Sequence, residues 1–298
     1  MYIILILVMF VWGMNLPAVK YLTAQMDPVM MTALRIFLAS LTVFFILSML
    51  KLVRYPKIKE WPYIVGGALL NVVIHHYFLS VGLTMTSGTN AGLIMGTGPI
   101  LTAIFSLVLL RIHPSKLQWF GFLLGVIGVW STVITGSDQT STISLGDSFV
   151  LIAIVSQVLS FIIIKKVSKT LDPRLLTAYM FLIGSSLLFA ISLVKNPGSI
   201  YSFQFVPSLF WPILFASGIM ATAIGHMLYN YSVGYVGPAK TSAFMNLSTL
   251  FSILGAVFFL GEQVSIIQLI GLVFIVSGVL FGSGAAEVLW QNKKSHQN

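Results

Sequence analysis

Of 298 residues, 57% are hydrophobic and only 8% charged, too little polar side chain to clothe a soluble domain of this size. The net charge of +9 does not point to nucleic acid, because the basic residues are gathered in short stretches between apolar runs. With no cysteine, the chain has no disulfide, thiolate metal site or thiol nucleophile.

A helix crosses roughly 30 Å of hydrocarbon with about 20 apolar residues. Ten such segments follow one another, at 2–22, 28–50, 62–84, 87–110, 116–136, 148–168, 174–194, 209–233, 238–260 and 264–285, so the expected fold is all-α and integral to a membrane. The first span lacks the basic start of a signal peptide, and Lys20 stands where small cleavage-site residues would fall, so it reads as retained. It carries Trp12 and Asn15, and Pro17 is expected to break it.

In the second span Arg35 lies seven residues past Pro28, about 10 Å deep at 1.5 Å per residue. A fixed charge is costly in lipid and turns inward, either to cap backbone carbonyls and helix ends or to attract a substrate carboxylate. The third span sets Asn71, His75 and His76 in an otherwise apolar and aromatic run. Asn71, His75, Phe78 and Gly82 follow i, i+4, i+7, i+11 spacing and share a face, the candidate cavity wall. His76 points about 100° away, toward a neighbouring helix.

Span four offers Asn90 and Thr97, with Pro99 expected to break it, and span six offers Gln157. In span eight, Thr222, His226, Tyr229 and Asn230 share a face; in span nine, which opens at Gly237-Pro238, Ser242, Asn246 and Thr249 do so. Serine and threonine often satisfy themselves on a carbonyl one turn back, whereas amides do so less easily. Each amide alone reads as glue between helices; as a set they favour a polar cavity. Gly121, Gly125 and Gly128 in span five and Gly278 and Gly282 in span ten form close-approach faces for scaffolding or for a homodimer contact.

Lysine and arginine cluster in alternate loops: four at 51–59, two at 111–116, four at 165–174, Lys240 and two in the tail, against only Lys20 and Lys195 on the other side. The positive-inside rule then makes both termini cytoplasmic, as an even span count requires.

The chain also repeats itself. "MDPVMMTA" from Met26 and "LDPRLLTA" from Leu171 align at an offset of 145, "SVG" recurs at Ser80 and Ser232, and Gln118, Gly121 and Gly128 recur at Gln268, Gly271 and Gly278. Two five-span halves, 1–142 and 143–298, follow, and an odd number of spans per half inverts the second copy. Inverted repeats suit alternating access to a site near the midplane. His226 falls within a residue of the repeat equivalent of His75, which predicts the two at mirror depths, each lining its own end of a pathway.

"FVWGMNLPAVK" (Trp12, Gly13, Asn15), "TALRIFLAS" around Arg35 and the "FLGE" ending at Glu262 resemble signatures of the EamA branch of the drug/metabolite transporter superfamily, in order and across both halves. The resemblance implies an inner-membrane carrier, commonly an exporter of amino acids or other small metabolites, with a central cavity between the halves. The chain departs from internal symmetry where Arg111-Ile112 matches Gly261-Glu262 and Pro99 matches Thr249. It lacks the first-span glutamate of the superfamily's small multidrug members, so cation/proton exchange of that kind is not implied.

The seven acids, Asp27, Glu60, Asp138, Asp147, Asp172, Glu262 and Glu287, all avoid span centres, which disfavours an organic cation or a carboxylate proton relay. The candidate substrate-binding residues are Trp12, Asn15, Asn71, His75, Asn90, Gln157, His226, Tyr229, Asn230 and Asn246, with Arg35 structural or substrate-facing. Amides, imidazoles and aromatic faces suit a neutral or zwitterionic solute. Two histidines without a carboxylate are an incomplete metal set, so neither metal nor cofactor is expected. No HExxH pattern and no acid near His75 or His226 supports an enzyme. The expected partners are a small-molecule substrate and the bilayer; a multidrug or organic-cation exporter is the alternative.

Overall fold

The structure, a computed structural model, describes residues 1–86, 88–135, 144–260 and 264–288. Glu262 of the FLGE motif, the boundary at 142/143 and the end of the tail lie outside these residues. The described residues form helices and turns, without a strand.

The helices are α1 (Tyr2–Gln25), α2 (Pro28–Met49), α3 (Ile58–Met85), α4 (Asn90–Leu110), α5 (Lys116–Thr135), α6 (Leu145–Val167), α7 (Pro173–Lys195), α8 (Phe210–Val236), α9 (238–260) and α10 (Ile266–Gly282). Among the described residues eight, α1 to α8, are long and apolar enough to cross a membrane. A 3-10 turn at Ala243–Asn246 interrupts α9, and α10 is an apolar helix of 17 residues. Ile3, Leu7, Phe10, Phe45, Met49, Val273 and Val276 are exposed, as they must be on a surface whose solvent is lipid.

Caps set the helix starts. Asp27 accepts a hydrogen bond from the Met30 amide at 2.9 Å and Asp172 from the Arg174 amide at 2.8 Å, each just before a proline that needs no donor partner. Burial alone would raise the Asp172 carboxyl, but hydrogen bonds from Arg174 outweigh it and hold the group below the usual carboxylate range. Gly237, at φ +105°, turns the chain between α8 and α9 in a conformation an L side chain rarely adopts.

Prolines act unequally. α1 runs unbroken through Pro17, which lies exposed on the helix surface, so the expected break is absent. α4 does break, at Thr97 ahead of Gly98-Pro99, because proline disfavours helix in the residue before it and has no amide to continue the ladder.

The packing is paired. α2 lies against α7 and α5 against α10; α3 packs on α6 as α1 does on α8; α1 packs on α9 as α6 does on α4; and α7 crosses α3 as α2 crosses α8. The glycine faces of α5 and α10 meet each other. A Cβ on Gly121 would fall 2.2 Å from the Gly282 nitrogen, and one on Gly278 2.6 Å from the Gly125 nitrogen. These glycines therefore do scaffolding work within the chain.

Two helices contain a wide turn that no 3.6-residue pattern reveals. Ala68–Ile74 in α3 and Ser217–Gly225 in α8 are π-helical, and each returns to α-helix at a histidine, His75 or His226.

Candidate functional site

A π turn leaves carbonyls that the next turn does not fill, and here side chains from other helices occupy the space. Trp12 of α1 donates from Nε1 to the Ala221 carbonyl at 2.9 Å. It lies so close to α8 that a Cβ on Gly225 would be 2.6 Å from that nitrogen. Its ring packs on His226 with centroids 4.6 Å apart and on Tyr229 at 5.2 Å. Phe161 of α6 continues the row against Tyr229 at 5.3 Å, and Phe181 of α7 meets His226 at 5.6 Å.

From α3, His76 reaches the same place: its ring lies 4.7 Å from that of His75 and 6.5 Å from that of His226. Arg35 of α2 lies within electrostatic reach of both His76 and His226. Its backbone carbonyl would stand 3.4 Å from a Cβ on Gly218, so α2 approaches the π segment of α8 at this level. The result is one interior cluster of imidazole, indole, phenol and guanidinium contributed by α1, α2, α3 and α8. Among the described residues no acid joins it; Asp27, Glu60, Asp147, Asp172 and Glu287 sit at helix ends.

The face shared by Asn71 and His75 exists but looks elsewhere. Asn71 donates from Nδ2 to Ser160 Oγ at 2.7 Å, and Ser160 in turn donates to the Gln157 carbonyl at 2.6 Å. His75 meets the Ala153 carbonyl through Nδ1 at 2.9 Å and the Gln157 amide nitrogen through Nε2 at 3.3 Å. A carbonyl only accepts, so the proton is on Nδ1, Nε2 receives Gln157, and the imidazole is neutral with both nitrogens used. Asn71, His75 and Gln157 thus fasten α3 to α6, and it is His76 that faces the cluster. Helical spacing identifies residues that share a face; which neighbour that face meets depends on tertiary packing.

His75 and His226 each follow the π turn of their own helix, and His76 stands between them, its ring 4.7 Å from the one and 6.5 Å from the other.

The remaining candidates disperse. Asn230 donates to Thr177 Oγ1 at 3.0 Å and ties α8 to α7. Asn90 donates to Asp147 Oδ2 at 3.0 Å, where Thr86 also bonds Asp147, at the capped start of α6. Asn246 is buried against Gly125 of α5, whose Cβ would sit 2.6 Å from its amide nitrogen. Asn15 is half-buried on α1, three residues past Trp12. Thr97, Thr102, Ser242 and Ser248 bond carbonyls of their own helices.

These assignments separate two kinds of substitution. Asn71→Ala leaves Ser160 without its donor and is expected to cost about 1–3 kcal/mol of stability. Solute affinity in the detergent-solubilised variant is expected to match wild type, and a loss of affinity without a loss of stability would return Asn71 to the site.

Residues 1–134 and 144–283 match the EamA-like transporter family. The chain belongs to that family. Among its relatives, the uncharacterized transporter YyaM of Bacillus subtilis (strain 168) is 28% identical over 288 residues, covering 95% of this chain and 93% of that protein. The WAT1-related protein At3g02690, chloroplastic, of Arabidopsis thaliana is 26% identical over 274 residues, covering 90% of this chain and 66% of its own. A solved crystal structure at 17% identity shares the fold, with a TM-score of 0.76 over 94% of this chain and 97% of the other.

The resemblance in Trp12, Gly13, Asn15 and Arg35 thus reflects membership, and this EamA-like protein is a multi-pass membrane protein of a transporter family. Sequence reasoning missed His76 as a member of the cluster. One signal was present: the offset of 150 that pairs Gln118 with Gln268 also pairs His76 with His226.

Proposed function

We propose that this EamA-like protein is a secondary carrier that exports small zwitterionic metabolites, amino acids or close relatives, across the cytoplasmic membrane by alternating access. The observation that carries the reading is the interior cluster of Trp12, Arg35, His76, His226 and Tyr229, polar and aromatic, with no carboxylate from the described residues. Imidazole and aromatic faces suit the two ends of a zwitterion, and a dication would find no counter-charge among the described residues there.

The paired helix contacts, the two Asp-Pro caps and the two π turns support ten spans arranged as inverted repeats, 1–142 and 143–298, with both termini on the basic cytoplasmic side. α3 and α8 are then equivalent elements whose histidines His76 and His226 approach at the site, and bending at their π turns exposes it to one side or the other.

The test is efflux of labelled neutral amino acids from proteoliposomes. His226→Ala is expected to slow efflux about tenfold or more, the scale of one lost polar contact in a desolvated site. Efflux no faster than from protein-free liposomes, or unchanged in His226→Ala, would count against the proposal.

A further inference from the structure

We infer that Arg35 is the counter-charge for a carboxylate on the transported solute, an assignment that rests on the carrier reading and names the chemical group it selects. Two arginines near helix ends, Arg54 and Arg174, show what a satisfied guanidinium looks like in this protein. Arg54 donates to both oxygens of Glu60, at 2.8 and 2.7 Å, and Arg174 forms a bidentate pair with Asp172. Arg35, deeper and only 9% exposed, has neither: its Nε is buried with no hydrogen-bond partner, and no carboxylate pairs with it among the described residues.

An isolated buried cation costs several kcal/mol unless an opposite charge or water meets it. The neighbours cannot supply that charge. His76 and His226 offer imidazoles, which carry no negative charge. What the arrangement lacks is an anionic acceptor, and a planar guanidinium binds a carboxylate through two parallel hydrogen bonds. A single basic side chain matches one carboxylate; a phosphate dianion would want a second. In a carrier the acceptor arrives with the solute. The empty site then bears a charge penalty that the carboxylate removes, which makes solutes lacking that group poor competitors.

The experiment is thermal unfolding of the purified full-length protein in mild detergent against matched triads of several side-chain sizes. Each triad holds an amino acid, the acid lacking its ammonium group and the amide lacking its negative charge, for example leucine, 4-methylpentanoate and leucinamide. Sodium chloride and inorganic phosphate serve at equal ionic strength. Ligands that bind only the folded state raise its midpoint, so weak binders register at high concentration.

In wild type, at least one amino acid and its acid are expected to stabilise the protein and the amide to do so about ten- to hundredfold more weakly in concentration, the range for one charged hydrogen-bonding partner. Arg35→Gln is expected to abolish that preference and Arg35→Lys to restore part of it. A panel in which no acid exceeds its amide would overturn the inference, and this holds in wild type even if Arg35→Gln does not fold. Stabilisation by chloride or phosphate equal to that by the carboxylates would also overturn it, as a site for inorganic anions. Amides or amines that stabilise the protein at least as strongly as the matching acids, with the effect lost in His226→Ala, would overturn the Arg35 assignment while leaving the carrier reading intact. Stabilisation by no solute in the panel would remove both.

Discussion

Trp12→Ala is expected to abolish transport and to lower the stability of the protein by up to about 3 kcal/mol, the low end of the range for truncating a core tryptophan, because Trp12 is half-buried. The indole does three things at once. It fills the space between α1 and α8, it satisfies the Ala221 carbonyl released by the π turn, and it forms the aromatic wall against His226 and Tyr229. Removing it leaves a cavity and an orphaned carbonyl in an interior with little water to replace the bond. Trp12→Phe separates these contributions: the wall remains while the hydrogen bond goes. The phenylalanine variant is expected to recover most of the stability and part of the transport, read by unfolding midpoint and proteoliposome efflux. Full transport in Trp12→Ala would exclude the indole from the solute path.

Gly278→Leu is expected to prevent accumulation of folded protein. Its Cβ position is 2.6 Å from the Gly125 nitrogen and 2.9 Å from the Gly121 carbonyl, so both obstacles are backbone and neither can swing aside. Overpacking a core usually costs about 1–3 kcal/mol when side chains absorb it. Here α5 and α10 must separate along their whole crossing, from Gly121 against Gly282 to Gly128 against Gly271. The readout is the monodisperse fraction on size exclusion after extraction in mild detergent. A monomeric, normally stable Gly278→Leu protein would show that the crossing is looser than these distances imply.

The helices and the glycine seam could be read from sequence because their signals are local or periodic: apolar length, Asp-Pro caps and glycines one turn apart. Pro17 misled because a proline removes a single amide from the ladder, and the remaining hydrogen bonds of a 24-residue helix carry it past that point. The candidate site was only half readable. Trp12, His226, Tyr229 and Arg35 do come together, but the choice between His75 and His76 depends on a π turn that no pattern of apolar residues encodes. Asn71, Gln157, Asn230 and Asn90 show that an amide in a membrane helix is as ready to bind a neighbouring helix as to face a solute. Residue type does not separate those roles, whereas the partner does.

On the carrier reading, the cluster around His76 and His226 opens to each side of the membrane in turn. Because the chain contains no cysteine, a single His76→Cys substitution marks the site without background labelling. The measurement is reaction of that thiol with a membrane-impermeant maleimide in right-side-out and in inside-out vesicles, with and without a saturating amino-acid mixture. Labelling is expected from both faces, with protection by solute on each. Labelling from one face alone, or from neither, would contradict that reading.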